Sequence, residues 1–146
     1  MSLVILHVLE SMNPEAGSVA VCLGGLHDAL ASRGLQSKTV APRADVTRAL
    51  DDVDIVHIHG WDYELALRTA AHALRAGMPY VVSPHGFLTF GPYNKPTWKD
   101  RFRFTWRTRR LVRGAACVTA INPQEERDLK SRRVHPRSCL LPYGVS

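Results

Sequence analysis

The stretch Pro79-Tyr80-Val81-Val82-Ser83-Pro84-His85-Gly86 decides the fold. Its β-favouring apolar residues read as a strand buried on both faces, the kind found in parallel sheets. Pro84 has no N–H for a central ladder, so the strand stops there. Gly86 permits backbone angles closed to other residues and lets His85 stand on a tight turn. A second run, Asp54-Ile55-Val56-His57-Ile58-His59-Gly60, ends the same way, in histidine and glycine. Open α/β sheets keep their ligand sites at the carboxyl ends of strands. Two imidazoles delivered to one rim therefore predict a cleft.

The rest of the chain alternates strand and helix. Residues 3–9 form an apolar run interrupted only by His7, a buried first strand. Ser18 caps a helix whose stripe is Val19, Cys22, Leu23, Leu26 and Leu30, and Gly34 stops it. Gly24-Gly25 inside that helix is expected to mark a close approach to the sheet. Residues 35–41 make a shorter strand and 46–50 a short helix. Residues 62–76 make a helix closed by Gly77. Beyond the organising strand come a loop, a basic helix over 98–113 and a strand over 115–121. Asn122-Pro123-Gln124-Glu125 is a capping box opening a helix to about Arg132, and residues 138–141 are a last strand. The pattern predicts an α/β, Rossmann-like, doubly wound and mainly parallel six-stranded sheet with helices on both faces. The expected strand order is 3-2-1-4-5-6, with Gly17, His59 and His85 converging on one edge. The chain ends after its sixth strand without a covering helix, so residues 1–146 are expected to be one domain of a longer protein.

Composition narrows the classes. A chain of 146 residues with 45% hydrophobic residues can bury a core without staples. No apolar run nears the roughly 20 residues that span a bilayer. The amino terminus has no basic n-region or small-residue cleavage site, so a cytoplasmic location is expected. Cys22, Cys117 and Cys139 sit among apolar neighbours and are expected to be reduced core residues. The net charge of +6 is local. Lys99, Arg101, Arg103, Arg107, Arg109, Arg110 and Arg113 face only Asp100 within one helix, and the remaining charges balance. That is a patch, not a nucleic-acid-binding composition.

Three constellations bear on chemistry. Gly17-Ser18 precedes a helix, where backbone N–H groups and the dipole favour an anion, although neither a dinucleotide fingerprint nor a P-loop is present. His57, His59 and His85 suggest a zinc triad, but no fourth ligand stands at a recognisable spacing, so no metal is expected. His57 reads as a core histidine bonded within the sheet, and His59 and His85 as polar contacts at the rim. Trp61, Asp62 and Tyr63 follow His59, and Phe87 follows Gly86. Aromatic faces beside hydrogen-bonding groups suit sugars, and they suit rim packing equally.

The series His57-Ile58-His59-Gly60-Trp61, Gly77 through Gly86, the basic helix, Ala115-Ala116 with Glu125, and Leu141-Pro142-Tyr143-Gly144-Val145 resembles one family. Over essentially its whole length the chain is similar to the amino-terminal domain, one half of the GT-B fold, of family 4 (group 1) glycosyltransferases. The likeness is strongest to those that build bacterial surface polysaccharides. The resemblance implies half of a retaining enzyme that moves a sugar from a nucleotide-sugar donor to a glycan or lipid-linked acceptor. A carboxyl-terminal domain, absent from this chain, would hold most of the donor, and the isolated half would be inactive. It implies no cofactor and no metal. It places His85 at the reacting centre, Gly17 and Ser18 by the donor diphosphate, and His59 and Trp61 on the acceptor rim, where Asp62, Tyr63 and Phe87 also fall. Two departures stand out: Gly17-Ser18 replaces a usual pair of glycines, and Pro142-Tyr143-Gly144 replaces Pro-Asn-Gly. A sugar-nucleotide epimerase half and a non-catalytic binding module remain the alternatives.

In the basic helix, Trp98, Phe102 and Trp106 form one stripe and Lys99, Arg103, Arg107 and Arg110 an adjacent one. Either the aromatics pack on the sheet and the cations are solvated, or this edge docks on an anionic membrane, at the inner face of the cell membrane.

Overall fold

A computed structural model describes residues 2–11, 13, 18–40, 45–60, 64–86, 97–131 and 133–142. Six strands, β1 (Val4–Val8), β2 (Gln36–Val40), β3 (Ile55–His59), β4 (Tyr80–Ser83), β5 (Cys117–Ala120) and β6 (Ser138–Leu140), form one sheet. The helices are α1 (Ser18–Ala31), α2 (Val46–Ala49), α3 (Glu64–Arg75), α4 (Trp98–Val112) and α5 (Pro123–Ser131). Every strand pair is parallel. The fold is thus α/β and Rossmann-like, as the alternating pattern predicts.

The strand order is β2-β1-β3-β4-β5-β6, which corrects the expected 3-2-1-4-5-6. The burial of the two strands explains it. Gln36, Lys38 and their neighbours alternate exposed and half-buried along β2, as suits an edge. In β3 no residue is exposed, so it belongs inside the sheet. The connection after β2 therefore crosses β1 and inserts β3 beside it. Strand order consequently reverses between β1 and β3.

The two faces differ in chemistry. Register aligns Leu6 with Val56, Val56 with Tyr80, Val8 with Ile58, Ile58 with Val82 and Val82 with Val118. These side chains join Val46 of α2, Leu65, Ala66, Ala70 and Ala73 of α3, Leu111 and Val112 of α4, and Leu129 of α5 in one aliphatic core. Right-handed crossovers put those four helices on one face and leave α1 on the other. Tyr80, fully buried, donates its hydroxyl to the Leu111 carbonyl at 2.6 Å and fastens α4 to the sheet. Burial pushes that phenol up to about 12.

Helix ends follow the sequence closely. Gly34 and Gly77 adopt φ of 73° and 66°. Their N–H groups and those of Leu35 and Met78 satisfy the last carbonyls of α1 and α3 in Schellman fashion. Two expectations are corrected. A Cβ on Gly24 or Gly25 would meet nothing within 4 Å, so neither marks a close approach. Cys139 is exposed on the edge strand β6 and Cys117 half-buried beside it, their sulfurs 3.3 Å apart, so these thiols lie outside the core.

Candidate functional site

Open α/β sheets take ligands at strand carboxyl ends beside a reversal of strand order, here β1 and β3. On the sheet face away from the aliphatic core, register sets His7 of β1 beside His57 of β3, and His59 beside Ser83 of β4. His27 of α1 reaches down to Ser37 and to Thr39, the latter at 2.6 Å. Where the other face is mostly hydrocarbon, this one carries imidazoles and hydroxyls toward the strand ends, beyond Ile5, Ile55 and Val81.

Beyond β4 the chain turns through two left-handed residues, His85 (φ 54°) and Gly86 (φ 83°). For glycine that is free; for histidine it costs about 1 kcal/mol or more, so something must hold the turn. Glu125 does. Its carboxylate, 1% exposed, accepts the Gly86 N–H at 2.6 Å and the Ile121 N–H at 2.9 Å. Asn122 caps α5 as the sequence predicts, accepting the Glu125 N–H at 2.8 Å. A capping box would return Glu125 to the cap residue's own N–H. Instead it reaches one residue further and across to the turn after β4, tying the ends of β4 and β5 together.

His85 is the outer member of a chain of imidazoles. Its Nε2 lies 3.1 Å from Nδ1 of His59, whose Nε2 lies 2.9 Å from Nδ1 of His7. The inner end, His7 Nε2, is buried and has no hydrogen-bond partner among the described residues. A buried bare lone pair is more readily tolerated than a buried bare N–H. On that ground we assign the tautomers: His7 Nδ1–H donates to His59, and His59 Nδ1–H donates to His85 Nε2. His85 then carries its proton on Nδ1 and is itself a donor. Beside this row His57 Nε2 lies 2.6 Å from the Ser83 hydroxyl, which meets Thr119 at 2.5 Å.

All four rings are neutral near pH 7. Burial lowers His7 to about 3, helped by repulsion from His57 and His27. Burial with repulsion from His85 lowers His57 to about 4, and burial alone brings His85 to about 4. His59 is pushed down harder, by burial and then by His57, His85 and His7. His85 can therefore donate a hydrogen bond without bringing a fixed positive charge.

Ligand nitrogens of His7, His57 and His59 lie within 4.8 Å of one another, with His7 where the sequence suggested His85. Neutral imidazole is the right donor for zinc, but a tetrahedral ion holds nitrogens about 3.3 Å apart on bare lone pairs. Here His7 and His59 share a proton and His57 is spent on Ser83. The trio is arranged as a hydrogen-bonded network.

The sequence's candidates divide as follows. His59 and His85 come together, but His59, 7% exposed, stands behind His85 with both ring nitrogens engaged. His57 is bonded within the sheet, as expected. Ser18 opens α1, its side chain outside the described residues, as are Gly17, Trp61, Asp62, Tyr63, Phe87 and the Tyr143-Gly144 pair. Arg107 bonds Glu64 of α3 at 3.3 Å. Lys99 and Arg110 lie against Trp98 and Trp106, and the Arg103 side chain is not among those described.

Residues 25–144 match the model of the glycosyl transferase 4-like domain. The chain belongs to that family. Comparison with curated proteins gave no match. A glycosyltransferase-type role follows for this glycosyl transferase 4-like domain, and its histidine face is the candidate site. The sequence reading missed how His7, His27, Ser83, Thr119 and Glu125 build that site. Only one signal was available. His7 is a lone polar residue in a buried strand, and its meaning depends on β1 lying beside β3.

Proposed function

We propose that this glycosyl transferase 4-like domain is the amino-terminal, acceptor-side half of a retaining glycosyltransferase. It would act in the cytoplasm in polysaccharide biosynthesis, on a nucleotide-sugar donor and a glycan or lipid-linked acceptor. A second domain of the full protein would hold most of the donor. The observation that carries the reading is His85. It is a neutral imidazole on a left-handed turn at the strand ends, backed by His59 and braced through Glu125. In this reading its Nδ1–H donates to the transferring sugar as charge develops between the sugar and the departing diphosphate. Preorganised donors of this kind stabilise a transition state more than a ground state. The amino terminus of α1, preceded by Gly17, would turn its first N–H groups to the diphosphate. The reaction so described needs no metal or other cofactor from these residues.

The test is a transfer assay on the full-length protein with His85→Ala. The expected result is a kcat about 100-fold lower with little change in the acceptor KM. Near-normal turnover would make His85 a turn residue only and refute the reading.

A further inference from the structure

One surface lies far from the histidine face in character. On α4 the inward side is Thr108, Leu111 and Val112, all buried. The opposite side should be polar, yet Trp98, Phe102 and Trp106 are 73%, 70% and 52% exposed. Of the two readings of this helix, the one in which these aromatics pack on the sheet is thereby set aside. Spaced four residues apart, they form a line about 12 Å long on one face of the helix. Lys99 stands 5.7 Å over the Trp98 ring and Arg110 5.4 Å over that of Trp106. Arg109 is exposed between them, and the charge excess of the chain is concentrated on this helix.

We infer that α4 is the face by which this domain docks on an anionic phospholipid bilayer, lying in the interface with its aromatic line among the headgroups. Two features favour a lipid surface over a protein partner. Indole and phenyl rings flanked by Lys and Arg are the residue types that settle at a bilayer interface, ring inward and cation toward phosphate. The cations are not matched by acids on the helix itself, where Asp100 is the lone carboxylate. None of the described helices is long and apolar enough to cross a membrane. The inference rests on the proposed function only for what waits at the surface, a lipid-linked acceptor. Docking itself is independent of transfer.

The experiment is sedimentation of this chain with vesicles of phosphatidylglycerol mixed into phosphatidylcholine, and with phosphatidylcholine alone. Tryptophan emission is followed in parallel. Co-sedimentation with the anionic vesicles only is expected, with a blue shift, and release in about 1 M salt, where screening shortens to about 3 Å. Replacing Lys99, Arg109 and Arg110 by Gln should weaken partitioning about 100-fold, near fivefold per cation. Trp98→Ser with Phe102→Ser, both at exposed positions, should reduce the blue shift to what Trp106 alone reports and weaken binding without unfolding the chain. A protein that stays in the supernatant with anionic vesicles at low salt overturns the inference. So does equal binding to neutral vesicles, or a Gln variant that binds as well as the parent. Because no sugar is transferred in this test, a failed His85 assay with intact docking, or the reverse, tells the two readings apart.

Discussion

Acidifying the solution from about pH 7.5 to about 5.5 should cost this fold about 4 kcal/mol. The magnitude comes from three rings on the sheet's polar face. His7, His57 and His85 are held at about 3, about 4 and about 4, against an ordinary 6.5. Because the folded values are lowered, the unfolded chain binds more protons between about pH 4 and 6.5. Stability is therefore fully present above 6.5 and lost as pH falls toward the folded values. At pH 5.5 each ring forfeits a little over 1 kcal/mol, on the order of one pH unit's worth of binding, and His59 acts in the same direction. Small domains hold only about 5–15 kcal/mol in total, so the loss is a large share. The window also lies above the ordinary carboxylate range, which leaves the histidines as the principal titrating groups. Urea unfolding followed by circular dichroism across this range measures the slope. A stability that changes by less than about 1 kcal/mol, or native resonances of His7, His57 and His85 titrating near 6.5, would refute the reasoning.

Two other outcomes are expected. Glu125→Ala leaves the Gly86 and Ile121 N–H groups without their acceptor and should destabilise by about 2–5 kcal/mol, with faster hydrogen exchange at Gly86. A loss under about 0.5 kcal/mol by urea unfolding would mean water replaces the carboxylate at no cost. Gly24→Ala and Gly25→Ala each place a methyl in open space within a helix and should raise stability by about 0.5–1 kcal/mol. A loss instead would reinstate the close approach that the sequence suggested.

The elements themselves were legible because local chemistry announces them. Gly34 and Gly77 close helices at positive φ, Asn122 caps α5, and the turn at His85-Gly86 ends β4 as Pro84 requires. Strand order was not legible from spacing alone, since right-handed crossovers permit β3 on either side of β1. Its clue was compositional: β2 alternates like an edge, and β3 does not. The site was half legible. His59 and His85 could be placed at one rim from their own strands, whereas the bond from His59 to His7 spans 52 residues. Glu125 carried a local explanation as a helix cap, which concealed its second bond to Gly86, 39 residues away.

The contrast between the two sheet faces bears on how sequences of this kind can diverge. On the hydrocarbon face, Val, Ile and Leu exchange at modest cost as long as volume is kept, so positions vary nearly independently. On the histidine face each ring's proton is placed by the next, and changing one member strands a donor or acceptor on its neighbour. His7, His59 and His85 must therefore change as a set, as must His57, Ser83 and Thr119. Specificity would be easier to retune from the surrounding loops than from the strands, and stability from the opposite face. Correlated substitution is the signature this architecture leaves in its descendants.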